Sequence, residues 1–60
     1  MGLIQELIGK KVTIYSAQGE TERSDIGVLE GAEGDWLKLH KETGEILYFT
    51  VERVRMVKPF

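Results

Sequence analysis

The side chains able to do chemistry in this 60-residue chain are few and scattered. His40 is its one histidine, set in "DWLKLHK". The two serines, Ser16 and Ser24, lack a nucleophile elbow of the G-x-S-x-G type. A relay site needs a nucleophile, a base and an orienting group converging in a concave pocket, so catalysis is not expected. His40 reads as a surface residue. With one histidine and no cysteine a zinc site is not expected either. The acidic residues do not follow the D-x-[DN]-x-[DN]-G spacing of a calcium loop. Gly27, Gly31 and Gly34 match neither G-x-G-x-x-G nor a P-loop, and bending and turning of the chain explain them better. No cofactor is implied.

A second set of residues suits binding. Trp36, Lys38 and His40 alternate along one segment, and Arg53 and Arg55 along another. An aromatic ring with nearby cations is what single-stranded nucleic-acid binders use to stack a base and neutralise phosphate. The plainer expectation is a large, partly buried tryptophan beside solvated charges.

The net charge of −2 argues against a general nucleic-acid coating protein. The charges are nevertheless segregated. Between residues 20 and 35, Glu20, Glu22, Asp25, Glu30, Glu33 and Asp35 face only Arg23, a local net of −5. From residue 36 onward Lys38, Lys41, Arg53, Arg55 and Lys58 stand against Glu42, Glu45 and Glu52, a net of +2. Such an arrangement reads as a solvated surface, or as self-complementary packing or a directional partner surface.

The elements that must carry these residues follow from periodicity. At 60 residues the chain is one domain, spanning 1–60 and close to the lower limit for unaided folding. Without cysteine there is no disulfide framework. The apolar opening "GLIQELIG" is too short to span a bilayer, which takes ~20 residues, and lacks the features of a signal peptide. A cytoplasmic location with no membrane partner is the expectation. In that opening Leu3, Ile4, Leu7 and Ile8 share one side of a short helix, and Gly9 suits its end. The stretch 10–19 reads as a strand with Val12, Ile14 and Ser16 on one face and Lys11, Thr13 and Tyr15 on the other. The polar "AQGETERSD" reads as a loop, the best candidate for mobility. Residues 26–32 and 36–41 read as two strands around "EGD", the second placing Leu37 and Leu39 opposite Trp36, Lys38 and His40. Gly27 and Gly31 within one strand suggest a sheet bending sharply, as a small barrel requires. Residues 46–50 give a fourth strand, "VER" a tight 3₁₀-like turn, and residues 54–58 a fifth strand ended by Pro59.

One helix, five bent strands, the internal "GVLEG…DWLKL" and the closing "YFTVERVRMV" resemble the Sm-like fold, a small SH3-like barrel. Gly27 and Leu29 match the glycine and leucine two apart in the bent second strand of that family, and "FTVERVRMV" is similar to its last two strands with their short link. The pattern also looks like the small Sm-like proteins of Gram-positive bacteria, and runs from Leu3 to Pro59. PRC-barrel-like and other SH3-like proteins share much of it. Two departures bear on function. Leu37 stands about where the family's RNA pocket carries an asparagine, and the Arg-Gly pair before the last strand is missing. The resemblance implies the fold, then, and not the usual RNA pocket.

Residues 46–49 are apolar on both faces, which is expected of a strand covered on both sides. One face belongs to the core; the other needs the N-terminal helix, through Leu3, Leu7 and Ile8, or a second chain. Burying a large apolar side chain contributes roughly 1.5–3 kcal/mol, against about 1.5 kcal/mol to order each residue, so a chain this short begins near balance. In Sm-like rings the fourth strand of one subunit pairs with the fifth of the next. The resulting expectation is an all-β, five-stranded SH3-like (Sm-like) small barrel with a short N-terminal helix, acting as a non-enzymatic binding or assembly module. It would self-associate through Ile46, Leu47, Tyr48, Phe49, Val54 and Met56. The alternatives are an RNA-binding ring using Trp36, Lys38, His40, Arg53 and Arg55, and a monomeric adapter whose edge captures an extended peptide of another protein.

Overall fold

The computed structural model describes residues 2–60, and their side chains from Ile4 onward. Five antiparallel strands form one sheet: β1 Lys11–Gln18, β2 Thr21–Glu33, β3 Trp36–Lys41, β4 Ile46–Thr50 and β5 Val54–Pro59. Their spatial order is β4-β3-β2-β1-β5. A 3₁₀ turn, Val51–Arg53, links β4 to β5. The boundaries of β3 and β4 coincide with the alternation in the sequence.

The sheet does not close into the expected barrel. β4 and β5 are its two end strands, yet only three residues separate them. Four Cα–Cα steps from Thr50 to Val54 can span at most ~14 Å, so the sheet curls until its ends come near each other. The 3₁₀ turn packs against β1 and delivers β5 to that strand's free edge. β5 therefore pairs with β1 on one side, and among the described residues neither its other side nor the outer side of β4 has a strand partner. The bend is concentrated in β2, where the ladder to β3 shifts register between Leu29 and Gly31. A second shift lies between Tyr15 and Ser16 in β1. Bulges of this kind sharpen local twist and bend.

Two further expectations are corrected. The stretch read as a mobile loop is mostly strand: β1 runs to Gln18 and β2 begins at Thr21, with Gln18 paired to Thr21 across a two-residue turn. Its polar residues hid this, because backbone ladder bonds hold the hairpin without apolar side chains. The N-terminal helix is a single turn, Gly2–Gln5. Beyond it the amides of Leu7, Ile8 and Lys10 bond to carbonyls three residues back, and Gly9 takes φ +89. So short a segment cannot repay the cost of nucleating an α-helix. The side chain of Leu3, assigned to the helix face, lies outside the described residues.

Val12, Ile14, Leu29, Leu37 and Leu39 make the buried core. Ile4, Leu7, Ala32, Phe49, Val54 and Val57 pack against it. The N-terminal segment is docked by backbone bonds on either side of Leu29: Gly9 N–H donates to the Leu29 carbonyl (2.7 Å), and Leu29 N–H to that of Lys10 (3.0 Å). Gln5 adds a side-chain bond to the Ala32 carbonyl (3.0 Å). The opening turn thus closes the core beside the β2 bulge. It leaves Ile46 and Tyr48 exposed, so it does not cover the second face of β4.

Candidate binding surface

β4 places its side chains on two faces by simple alternation. Leu47 and Phe49 lie opposite Leu39 and Leu37 and are half-buried, while Ile46 and Tyr48 lie opposite His40 and Lys38. The outward pair is 43% and 62% exposed. On β5, Val54 and Val57 pack on the core, whereas Met56 is 50% exposed. The six residues expected to join subunits therefore divide. Ile46, Tyr48 and Met56 offer apolar surface beside unpaired strand edges, Phe49 and Val54 pack on this chain's own core, and Leu47 is half-buried opposite Leu39.

The expected nucleic-acid residues do not form one surface. Trp36, Lys38 and His40 share the outer face of β3, but two of them are engaged by one carboxylate. Glu30 lies 2.7 Å from His40 Nδ1, which donates to it, and 3.6 Å from Lys38 Nζ. These contacts hold the Glu30 carboxyl below its usual range, the hydrogen bond from His40 first among the causes. Arg55 stands 3.9 Å from Glu22. Arg53, on the 3₁₀ turn, enters no ion pair among the described residues. The acidic and basic halves of the chain thus answer each other largely within one molecule.

Trp36 and Arg53 instead meet across a cleft of about 510 Å³. It opens at the seam where the sheet fails to close, between β4 with its 3₁₀ turn and the far end of the β1–β2 hairpin. Tyr48 and Phe49 join Trp36 along it, Arg23 joins Arg53, and Ser16, Thr21 and Thr50 add hydroxyls. Arg23 and the hairpin hydroxyls had no signal in the sequence, since that stretch reads as loop.

Arg23 is oriented by Asp25, a buried carboxylate on the inner face of β2. Arg23 Nε donates to Asp25 Oδ2 and Nη2 to Oδ1, each at 3.1 Å. Lys41 Nζ donates to Oδ1 at 3.3 Å. Burial by itself would raise the pKa of Asp25, but the bonds from Arg23 and Lys41 and their charges outweigh it and hold the carboxyl below its usual range. The same fork, through its hydrogen bonds and charge, raises the pKa of Arg23. Two-point contact fixes the guanidinium plane more firmly than one bond could.

Among the described residues no three His, Asp or Glu side chains are grouped to hold a metal ion. No helix there is long and apolar enough to cross a membrane. Compared with family models, curated proteins and solved structures, the chain finds no match.

Proposed function

We propose that this chain is a small SH3-like, Sm-like module whose work is assembly, β4 of one copy pairing with β5 of the next. The observation that carries the reading is the pair of unpartnered edges. β4 and β5 sit at opposite ends of the sheet order, and both show apolar side chains to solvent beside those edges. Exposed edges of this composition invite pairing with another chain, and natural sheets usually blunt them. A core of only five buried apolar side chains among the described residues gives further weight, since small domains often gain stability by oligomerising.

The two edges are compatible in length and facing. An antiparallel pairing that sets Tyr48 against Met56 also sets Ile46 against Lys58 and Leu47 against Val57. At these three positions outward residues meet outward residues and inward meet inward; one step further, half-buried Phe49 meets exposed Arg55. Because the two surfaces differ, the contact is head-to-tail and can close into a ring. The bent β2 and the short link between β4 and β5 support the Sm-like reading of the fold. Native mass spectrometry near physiological ionic strength is the test. A discrete multimer is expected; a monomer at roughly tens of micromolar overturns the reading and turns attention to an extended peptide from another protein.

A further inference from the structure

We infer that the seam cleft binds a small aromatic carboxylate, a flat ring bearing one acidic group, taken as a free acid or as the carboxyl end of a peptide whose last residue is aromatic. The inference goes beyond self-assembly and does not depend on it.

Its first support is the wall of the cleft, which wraps the free edge of β4. Leu47 and Phe49 enter it from the inner face of that strand and Tyr48 from the outer, with Trp36 on the neighbouring strand. Three of the chain's five Phe, Tyr and Trp rings are thus gathered in one place. Trp36 is 52% exposed and Tyr48 62%, so two large rings stand largely bare to solvent. Aromatic rings pack on one another offset or edge-to-face, and a flat aromatic ligand covers them better than an aliphatic one. The volume of about 510 Å³ falls within the usual range for small-molecule sites, ~300–1,000 Å³.

The second support is charge, and it rests on Arg53 alone. Arg23 and Arg53 are the charged side chains lining the cleft, and no carboxylate does. They are not equivalent. The fork of Arg23 is spent on Asp25, so its charge is already answered and its fixed guanidinium plane is left to stack on a ring. Arg53 enters no ion pair among the described residues. One uncommitted guanidinium matches one carboxylate, which accepts two parallel N–H bonds from it. A phosphate monoester carries a charge of about −1.5 to −2 at neutral pH and would find no second free cation in the cleft. An acid without a ring leaves Trp36 and Tyr48 uncovered, and a ring without an acid leaves Arg53 unmatched.

Trp36 is the only tryptophan, so its fluorescence and its indole N–H resonance report the cleft directly. The experiment titrates the protein with phenylacetate, phenylacetamide, acetate, phenyl phosphate and acetyl-alanyl-phenylalanine. Saturable binding of phenylacetate or of the dipeptide is expected. Phenylacetamide and acetate should each bind about tenfold more weakly or worse, and phenyl phosphate no more tightly. If the dipeptide binds much more tightly than phenylacetate the source is a peptide end; otherwise it is the free acid. Arg53→Gln, an exposed change, should bind phenylacetate as weakly as its amide, and Lys38→Gln, outside the cleft, should keep the preference for the acid. The same titration on Met56→Asp, which alters β5 outside the cleft, allows for a cleft covered by assembly, and binding in either protein supports the site. The inference is overturned by the absence of saturable binding in both proteins, or by a preference for the acid that survives Arg53→Gln. Phenyl phosphate binding more than about tenfold tighter than phenylacetate overturns it too.

Discussion

Gly27 and His40 meet across the β2–β3 ladder so closely that a Cβ on residue 27 would stand 2.5 Å from the His40 carbonyl oxygen and 2.9 Å from its carbonyl carbon. Both atoms are backbone, so no side chain can swing aside. Gly27→Ala must push β3 away from β2 two residues before the register shift at Leu29 and Gly31. Overpacking of this kind costs about 1–3 kcal/mol. A domain of this size has roughly 3–9 kcal/mol of stability in total, so the melting temperature should fall by about 4–8 °C per kcal/mol lost. Thermal unfolding at fixed protein concentration checks this. An unchanged midpoint would mean that β3 shifts freely.

Leu39 reads out the core. It is fully buried between β2 and β4, opposite Leu29 and Leu47. Leu39→Ala removes transfer energy and leaves a cavity, together about 2–5 kcal/mol. Set against the same modest total, this should leave much of the protein unfolded at 37 °C. Far-ultraviolet circular dichroism would show it, and a fully folded variant would place the stabilising contacts elsewhere.

Asp25 ties stability to pH. Its folded carboxyl titrates below the ordinary value, about 3.9 in an unfolded chain. Between those two values the unfolded state binds more protons than the folded one, so stability rises with pH through that window. The contribution is complete above about pH 5 and is lost as the pH falls through the folded value. Asp25→Asn removes the charge from two hydrogen-bonded partners and should cost about 1–3 kcal/mol at neutral pH. It should also flatten the acid limb of a stability–pH curve. A variant with the wild-type acid limb would assign that limb to Glu30 or Glu42, whose carboxyls are also held low, by hydrogen bonds from His40 and Lys11 respectively.

How far the fold could be read in advance depended on side-chain alternation. Trp36–Lys41 and Ile46–Thr50 alternate or are apolar throughout, and the strands lie where that pattern ends. The start of β2 carries instead Arg23 and Asp25 on its inner face, which satisfy each other. A carboxylate buried beneath an exposed arginine looks like loop to any hydropathy reading. The seam cleft was illegible for a different reason. It gathers residues from β1, β2, the start of β3, β4 and the 3₁₀ turn, and their meeting depends on how far the sheet curls. The glycines and the short link announce a bend; they do not specify that it stops before closure.

Assembly through unlike edges makes a prediction that no like-to-like dimer shares. Phe49 packs on the core, so Phe49→Asp would disturb folding and association together. Tyr48 and Met56 point outward, and a charge at either should spare the fold. Tyr48→Asp spoils the β4 edge and keeps β5; Met56→Asp spoils β5 and keeps β4. Each variant alone should be a monomer of about 6.8 kDa with a wild-type circular dichroism spectrum. Mixed in equal amounts, they retain one sound β5 edge and one sound β4 edge between them. A heterodimer of twice that mass should then form and grow no further, because its two outer edges are both blocked. Native mass spectrometry distinguishes the outcomes. Variants that each keep the wild-type mass would show that these edges do not join the subunits, and a mixture that stays monomeric would show that β4 does not pair with β5.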